Sequence, residues 1–274
     1  MEDFPVNIIL RQFKDQLGGS IFLARTPHKI ISLVPSQTEL LFDLGLDKEV
    51  IGITRYCIHP VEKCAEKIKI GGTKRFDFDL IDKLKPDLII GNKEENYKAG
   101  IERLRSKYAV WMSDVNTLED AYQMIKSIGD MVDKGREARD IVSEIESKVK
   151  RFKPRSSIKV AYFIWQRPYM VAGENTFIDD MLRIFGFANV FGDLDRYPEV
   201  TLDQIRDASP AAIFLSSEPF PFKSKHLDEF NERFPSTIIR LVDGTMFSWY
   251  GSRLRYAADY FEKLIKDLQI LLSV

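Results

Sequence analysis

The segment that most constrains the fold of this chain is IISLVPSQTELLFDLGLDKEVIGITRY, Ile30 to Tyr56. It predicts a strand, a Pro–Ser turn, a short helix and a second strand, because apolar runs such as IISLV are typical of strands covered on both faces. Gly45 stands where a left-handed residue commonly ends a helix. A weaker copy of the helix and strand recurs in FIDDMLRIFGFANVFG, Phe177 to Gly192. We therefore predict two similar α/β halves with a ligand-binding cleft between them.

The two copies can be aligned over most of the chain. Setting Gly186 on Gly45 and Pro210 on Pro86 matches helix with helix and strand with strand. The Gly-to-Pro spacing is 41 residues in the first half and 24 in the second, so the first half carries about 17 extra residues, mostly PVEKCAEKIKIGGTKR. This order of elements predicts an α/β protein of two lobes, each a central, mostly parallel sheet flanked by helices, joined by one rigid helix.

The sequence divides into four segments. We predict a β-hairpin that turns at Gly18–Gly19 and packs on lobe 1 (residues 1–26), lobe 1 (27–134), a linking helix (135–154) and lobe 2 (155–274). The linking segment has an apolar stripe at helical spacing and ends at Pro154, which makes it a stiff connector. At the start of the first helix, Ser36-Gln37-Thr38-Glu39 predicts a capping box with Ser36 as its N-cap.

Charge and hydropathy exclude two classes of partner. The 40 basic and 41 acidic residues leave a net charge of −1, so no field of one sign is available to attract nucleic acid. No apolar run approaches the roughly 18 residues of a membrane helix, so membrane insertion is not expected. The N-terminus, MEDFPVNIILRQF, does not have the pattern of a secretory signal peptide, which predicts a cytoplasmic protein unless a signal is missing. We expect the protein to be a monomer.

Metal-site and catalytic motifs are weak or absent in the sequence. Cys57, His59 and Cys64 form C-x-H-x4-C, but a structural zinc needs four ligands at tighter spacing, so two partly buried thiols are favoured. There is no Walker A loop, G-x-S-x-G, G-x-G-x-x-G or H-E-x-x-H. We therefore predict a binding protein without an intrinsic cofactor; an enzyme on the same fold plan would need redox cysteines or an acid/base pair. Direct binding of a metal ion remains an alternative, with the candidate ligands His59, Glu94, Glu95, Glu218 and Asp243.

Aromatic and charged side chains follow the predicted strands. In parallel α/β sheets, ligands bind beyond the carboxyl ends of the strands. Phe247 and Trp249 lie among polar residues in MFSWYGSR, so we expect them to be exposed. The whole set suits a flat, partly apolar, anionic ligand held by stacking and guanidinium pairing. The candidate ligand-binding residues are Ser36, Arg55, Tyr56, Lys93, Trp165, Arg167, Tyr169, Tyr197, Glu218, Phe247, Trp249 and Arg253.

Four segments in order carry a resemblance to a known family. HKIISLVPSQTELLFDLGLDKEVIGIT, LIDKLKPDLIIGNKEEN, MVAGENTFIDDMLRIFGFANVF and YPEVTLDQIRDASPAAIFLSSEP resemble the helical-backbone (class III) substrate-binding proteins of ABC importers, above all the branch that binds vitamin B12 and iron chelates. The resemblance covers about Pro27 to Leu268. It implies a periplasmic protein that holds a metal chelate, such as a corrinoid (cobalamin), haem or a ferric siderophore, in the cleft between its lobes.

The resemblance also implies roles for individual residues. Tyr56 and Tyr197 fall where aromatic residues line the cleft in that family, and Phe247 and Arg253 lie near its last cleft segment. Such proteins dock onto an ABC permease through an acidic residue on each lobe. Asp203 matches the acid of lobe 2, whereas the matching part of lobe 1, near KIKIGG, shows no acid, although Glu66 is close. A cytoplasmic relative that binds the same ligand without transport is the alternative.

Overall fold

The computed structural model describes residues 10–153 and 157–273. The chain forms two compact units: unit 1 comprises Met1–Asp114 and Tyr122–Val142, and unit 2 comprises Val115–Ala121 and Ser143–Val274. The predicted end of the linking helix at Pro154 lies outside the described residues. Within those residues, no helix is both long and apolar enough to cross a membrane.

Unit 1 is built around a five-stranded parallel sheet with the strand order β5-β4-β3-β8-β9. The strands β3, β8 and β9 are buried along their whole length, as expected for strands covered on both faces. Two helices, α5 and α6, each contribute residues to both units. The elements up to α6 are β1 (Arg11–Lys14), β2 (Ser20–Leu23), β3 (Ile30–Ser32), α1 (Pro35–Asp43), β4 (Val50–Ile53), α2 (Val61–Ala65), β5 (Ile68–Lys69), β6 (Gly71–Gly72), β7 (Arg75–Phe76), α3 (Phe78–Leu84), β8 (Leu88–Asn92), α4 (Lys98–Arg105), β9 (Val110–Ser113), α5 (Leu118–Met131) and α6 (Gly135–Arg151).

The N-terminal hairpin pairs β1 with β2 in antiparallel register. Its turn contains Gly18 at a φ of +82°, a conformation that favours glycine. The buried carboxylate of Asp15 accepts hydrogen bonds from the backbone N–H groups of Leu17 (3.0 Å) and Gly19 (2.6 Å) and forms an ion pair with Arg105. The turn is therefore fixed by one carboxylate. The predicted strand residues before position 10 lie outside the described part of the chain.

Unit 2 repeats the strand order of unit 1. The strands β12-β10-β13-β14 are parallel neighbours, and β11 pairs with β10 in antiparallel orientation. This order corresponds to β4-β3-β8-β9 of unit 1. The elements of unit 2 are β10 (Ile158–Trp165), β11 (Met170–Val171), α7 (Phe177–Ile184), β12 (Phe187–Asn189), α8 (Leu202–Ala208), β13 (Ala212–Ser216), α9 (Ser224–Arg233), β14 (Ile238–Val242), α10 (Thr245–Ser248), a 3₁₀ helix (Ser252–Tyr256) and α11 (Ala257–Leu272).

The ends of equivalent helices confirm the alignment of the two halves. Gly45 after α1 and Gly186 after α7 adopt φ values of +79° and +81°. The helices α3 and α8 end on Lys85 and Ser209, which are both left-handed and stand directly before Pro86 and Pro210. The predicted fold class, with an α/β arrangement repeated in the two units, is confirmed.

The predicted capping box at Ser36 is wrong. The helix α1 begins two residues earlier than predicted, at Pro35 rather than Gln37, and its N-cap Val34 makes no side-chain capping bond. Proline at the first helical position has its φ preset and lacks the N–H that would need a cap, so it starts the helix by itself. Ser36 is buried inside the first turn, and the hydroxyl of Thr38 donates instead to the carbonyl of Val34 (2.9 Å).

Candidate functional site

The carboxyl ends of β13 and β14 hold a group of bonded side chains around Glu218. Its Oε1 accepts hydrogen bonds from the hydroxyl of Ser248 (2.7 Å) and the indole Nε1–H of Trp249 (2.9 Å). Burial raises the pKa of Glu218, and the nearby carboxylate of Asp243 also raises it, whereas the two hydrogen bonds and Arg253 act in the opposite direction. Glu218 is thus an anchor for the edge of the indole.

Arg253 covers the face of the same indole. Its guanidinium carbon lies 4.6 Å from the ring centroid of Trp249, within the range of a cation–π contact. Trp249 is only 6% exposed, while Arg253 is half-buried. We call Glu218, Ser248, Trp249 and Arg253 the indole cluster. It holds a guanidinium at the carboxyl edge of the unit 2 sheet, where it can pair with a carboxylate or phosphate group.

The backbone behind the indole cluster is packed too tightly for a side chain at Gly244. A Cβ at this position would overlap the Oγ of Ser216 and would lie 2.7 Å from the Cγ of Glu218. The N–H of Gly244 donates to the hydroxyl of Ser217 (2.9 Å), which ties the two loops together. The close approach of the loops after β13 and β14 therefore requires glycine.

We expect Gly244→Ala to destabilise the protein by about 1–3 kcal/mol, because the methyl group forces the two loops apart. Chemical denaturation monitored by circular dichroism would measure the loss. Gly192→Ala is the matched control in the same unit, since its nearest neighbour would lie at 3.2 Å. Equal stability of Gly244→Ala and the wild type would contradict the tight packing.

The expected exposure of Phe247 and Trp249 is wrong. Phe247 is completely buried, and its ring lies 4.8 Å from that of Tyr162 and 4.7 Å from that of Phe261. The short helix α10 turns this side chain into the core of unit 2. The polar residues around Trp249 do not indicate exposure, because Glu218 and Arg253 bond to its edge and face.

Three candidates lie at the end of β10 or in the loop after it, of which two are exposed and one has a packing role. Trp165 is 40% exposed, with its ring packed edge-on against that of Phe220 (5.5 Å between centroids). Arg167 is exposed in the following loop. The hydroxyl of Tyr169 donates to Glu229 (3.2 Å), and its ring packs on aromatic core residues. Tyr197 is half-buried, with the guanidinium of Arg196 5.7 Å from its ring.

In unit 1, the candidates Arg55, Tyr56 and Lys93 are exposed. Arg55 and Tyr56 follow β4, and Tyr56 is 55% exposed. The two side chains flank Gly72, where a Cβ would meet the ring of Tyr56 at 3.2 Å and the guanidinium of Arg55 at 3.6 Å. Lys93 forms an ion pair with Asp114 (2.7 Å), which reduces its ability to bind an anion. Ser36 is buried and offers no surface to a ligand.

A buried amide network at the carboxyl ends of β3, β8 and β9 was missed by the sequence analysis. Ser113 accepts hydrogen bonds from Gln37 (2.7 Å) and Asn92 (2.9 Å). Asn96 accepts from the backbone N–H of Asn92 (2.9 Å) and donates to the carbonyl of Thr73 (3.1 Å). The only available signal was the position of polar residues directly after apolar strands. The network fixes the loops that carry the exposed residues of unit 1.

The candidates for a metal site are not brought together. Among residues 10–153 and 157–273, no three or more His, Cys, Asp or Glu side chains form a group that could hold a metal ion. The candidates His59, Glu94 and Glu95 therefore belong to no such group. Cys57 and Cys64 are buried free thiols. Burial raises the pKa of Cys57 and raises that of Cys64 to about 11, so both are protonated at neutral pH.

Comparisons with known proteins agree on a family. The family model described as "Periplasmic binding protein" matches residues 30–240. The chain is 25% identical over 225 residues to the uncharacterised ABC transporter substrate-binding lipoprotein YvrC of Bacillus subtilis, covering 77% of this chain and 69% of YvrC. It is 25% identical over 205 residues to a vitamin B12-binding protein of Vibrio parahaemolyticus, covering 72% and 74% of the two chains.

A solved structure is similar over nearly its whole length. The apo form of the periplasmic haem-binding protein RhuT from Roseiflexus sp. RS-1 superposes with a TM-score of 0.78 at 19% identity, covering 88% of this chain and 98% of RhuT. These names describe binding proteins rather than enzymes. A lipoprotein and a periplasmic protein are not cytoplasmic, so the comparisons do not support the cytoplasmic location expected from the N-terminus. The family model matches most of this chain, so the chain belongs to the periplasmic binding protein family.

Proposed function

We propose that this protein binds an anionic metal chelate outside the cytoplasm and delivers it to an ABC permease. The chelate is a corrinoid, haem or a ferric siderophore. The observation that carries the proposal is the indole cluster, in which Glu218 and Trp249 hold the guanidinium of Arg253 at the ligand-binding edge of an α/β sheet. The names of the related proteins support the ligand class.

The exposed residues of each unit suit the two kinds of surface that such a chelate presents. Tyr56 in unit 1 and Trp165 in unit 2 offer aromatic faces to its flat, apolar part. Arg55, Arg167 and Arg253 offer guanidinium groups to its carboxylate or phosphate groups. Among the candidate contacts, Ser36, Tyr169 and Phe247 are excluded from this contact set because they have packing roles. Trp249 acts by supporting Arg253.

Ligand titration tests the proposal directly. The purified protein would be titrated with cyanocobalamin, haemin and a ferric siderophore that carries free carboxylates, with tryptophan fluorescence and calorimetry as readouts. We expect one of them to bind with a micromolar or lower Kd, equivalent to at least about 8 kcal/mol. If all three fail to bind, the proposed function is wrong.

The internal repeat supports a matched pair of acids as candidates for docking on the permease. Asp79 and Asp203 are the second residues of the equivalent helices α3 and α8, and each lies seven residues before the matched Pro86 or Pro210. Both are exposed. We propose Asp79 as the unit 1 counterpart of Asp203, in place of the position near KIKIGG, where only Glu66 is close.

We expect Asp79→Lys and Asp203→Lys each to slow chelate import about tenfold, because reversing a charge at an interface penalises the docked state. Chelate affinity should be unchanged, which separates docking from binding. Transport into proteoliposomes that contain the permease would measure the effect. Glu66→Lys is the matched control and should import at the wild-type rate. Equal loss in Glu66→Lys would refute the assignment of Asp79.

A further inference from the structure

Three exposed arginines converge on one groove of unit 1. Arg55 follows β4, Arg75 lies in β7 and Arg103 lies on α4. We call this the arginine groove. It has a volume of about 520 Å³, and its lining also includes Lys69, Phe78, Asp77 and Asp79.

These arginines differ from others in the protein in their lack of carboxylate partners. Arg105, Arg183 and Arg206 each form an ion pair with an aspartate. Within the described ranges, none of the arginines of the groove is within ion-pair distance of a carboxylate. The guanidinium of Arg103 instead lies 3.9 Å from the ring centroid of Phe78. The four cationic side chains of the lining outnumber the two carboxylates of Asp77 and Asp79, which gives the groove a positive potential that attracts an anionic group.

The backbone under the arginine groove is rigid. Gly71 adopts a φ of +106°, and a Cβ there would overlap the carbonyl oxygen of Arg75. The N–H of Arg55 donates to the carbonyl of Gly71 (2.9 Å), and the N–H of Asp77 donates to the carbonyl of Ile70 (2.9 Å). These bonds fix the backbone at Arg55 and next to Arg75, so the two cations are held in the same region before a partner binds.

We propose that the arginine groove is a docking surface for an acidic segment of the permease, next to the Asp79 contact. The inference rests on the proposed function, because it takes the permease as the partner. Asp79 lines the same groove as the arginines. A protein surface that offers carboxylates to Arg75 and Arg103 and a basic side chain to Asp79 complements both charges, which a small free anion does not do.

The groove also makes the two docking surfaces different. In unit 2, Asp203 is already paired with Arg206 (2.7 Å) on its own helix. In unit 1, Asp79 stands beside three cations that have no carboxylate partner. Such a difference in charge favours one orientation of the binding protein on a permease whose two halves differ in acidity.

The test compares two double charge reversals. Arg75→Glu/Arg103→Glu makes the net charge of the groove negative but leaves Arg55, a proposed ligand contact, in place. Arg136→Glu/Arg139→Glu is the control, because it makes the same change in net charge on exposed residues of α6. Each full-length variant would be titrated onto the permease in nanodiscs at several salt concentrations, and chelate affinity would be measured in the same samples.

We expect the groove variant to dock at least about tenfold more weakly, with a smaller dependence on salt, while the control docks like the wild type. Chelate affinity should be equal in all three proteins. Wild-type docking by the groove variant, an equal loss in the control, or no docking by the wild type would each overturn the proposal.

Citrate serves as the small-anion probe: if it binds through Arg75 and Arg103 while docking does not need them, the groove is a small-anion site. Failure of the wild type to bind any chelate would instead refute the proposed function.

Discussion

Replacing Arg253 with alanine should weaken chelate binding about 30-fold, since a hydrogen bond to a charged group contributes about 2 kcal/mol. Arg253 is held in place before the ligand arrives, because its guanidinium rests on Trp249 and the indole is bonded to Glu218. A preorganised cation loses little conformational entropy on binding, so its removal costs more than the loss of a mobile surface charge. Fluorescence titration with the chelate that binds the wild type would measure the change.

Arg255 provides the matched control for this substitution. It lies in the same 3₁₀ helix as Arg253 but forms an ion pair with Glu144 (3.2 Å). Arg255→Ala should therefore keep the wild-type affinity. Arg253→Lys should recover part of the loss, because lysine keeps the charge but not the planar contact with the indole. Unchanged affinity in Arg253→Ala, with binding by the wild type established, would remove Arg253 from the site.

The repeated fold could be predicted because the residues that end its helices act locally. Gly45 and Gly186 end helices in a conformation that glycine adopts without strain, and Pro86 and Pro210 stop the helices before them. These residues act through their own backbone and do not depend on distant contacts. The strands β3, β8 and β13 are largely apolar and buried along their whole length, which leaves little ambiguity about their place in a parallel sheet.

The site was harder to predict because its residues depend on tertiary partners. The sequence of α10 does not show that Phe247 meets Tyr162 and Phe261, residues from β10 and α11. Likewise, Arg253, one of the polar neighbours that suggested an exposed Trp249, covers its ring, and Glu218, from the loop after β13, bonds its edge. A composition rule takes polar neighbours to mean that a side chain is exposed to solvent. In this protein, one carboxylate and one guanidinium cover the edge and face of the Trp249 indole.

Asp79 is an instructive intermediate case. The alignment on Pro86 and Pro210 already pairs it with Asp203, since the spacing to the proline is seven residues in both halves. The sequence analysis instead placed the lobe 1 counterpart of Asp203 near KIKIGG, among the extra residues of the first half. The helix ends in the structure give the register without ambiguity, because Lys85 and Ser209 share the same left-handed conformation.

Substituting Glu218 with leucine should destabilise unit 2 by about 2 kcal/mol, because the buried indole N–H of Trp249 loses its hydrogen bond to the Glu218 carboxylate. Leucine is similar in size, so a cavity contributes little to the loss. The Ser248 hydroxyl keeps a second acceptor, the carbonyl of Gly244 (2.9 Å), and contributes less. Denaturant unfolding would measure the change, and the indole N–H resonance of Trp249 would show whether its hydrogen bond is lost. Chelate affinity should fall as well, since the ring no longer holds Arg253.

Glu218→Gln is the control that keeps an acceptor for the indole, and it isolates the effect of the carboxyl charge. The pKa of Glu218 is raised by burial, so the folded state binds the proton more tightly than the unfolded state. Wild-type stability should therefore fall relative to Glu218→Gln as the pH rises from the ordinary glutamate range through the raised pKa, because folding opposes ionisation in that window. A relative stability that rises over the same window would mean that the hydrogen bonds and Arg253 outweigh burial. The leucine variant would then lose more than the indole contact alone, because it would also remove a net favourable charge.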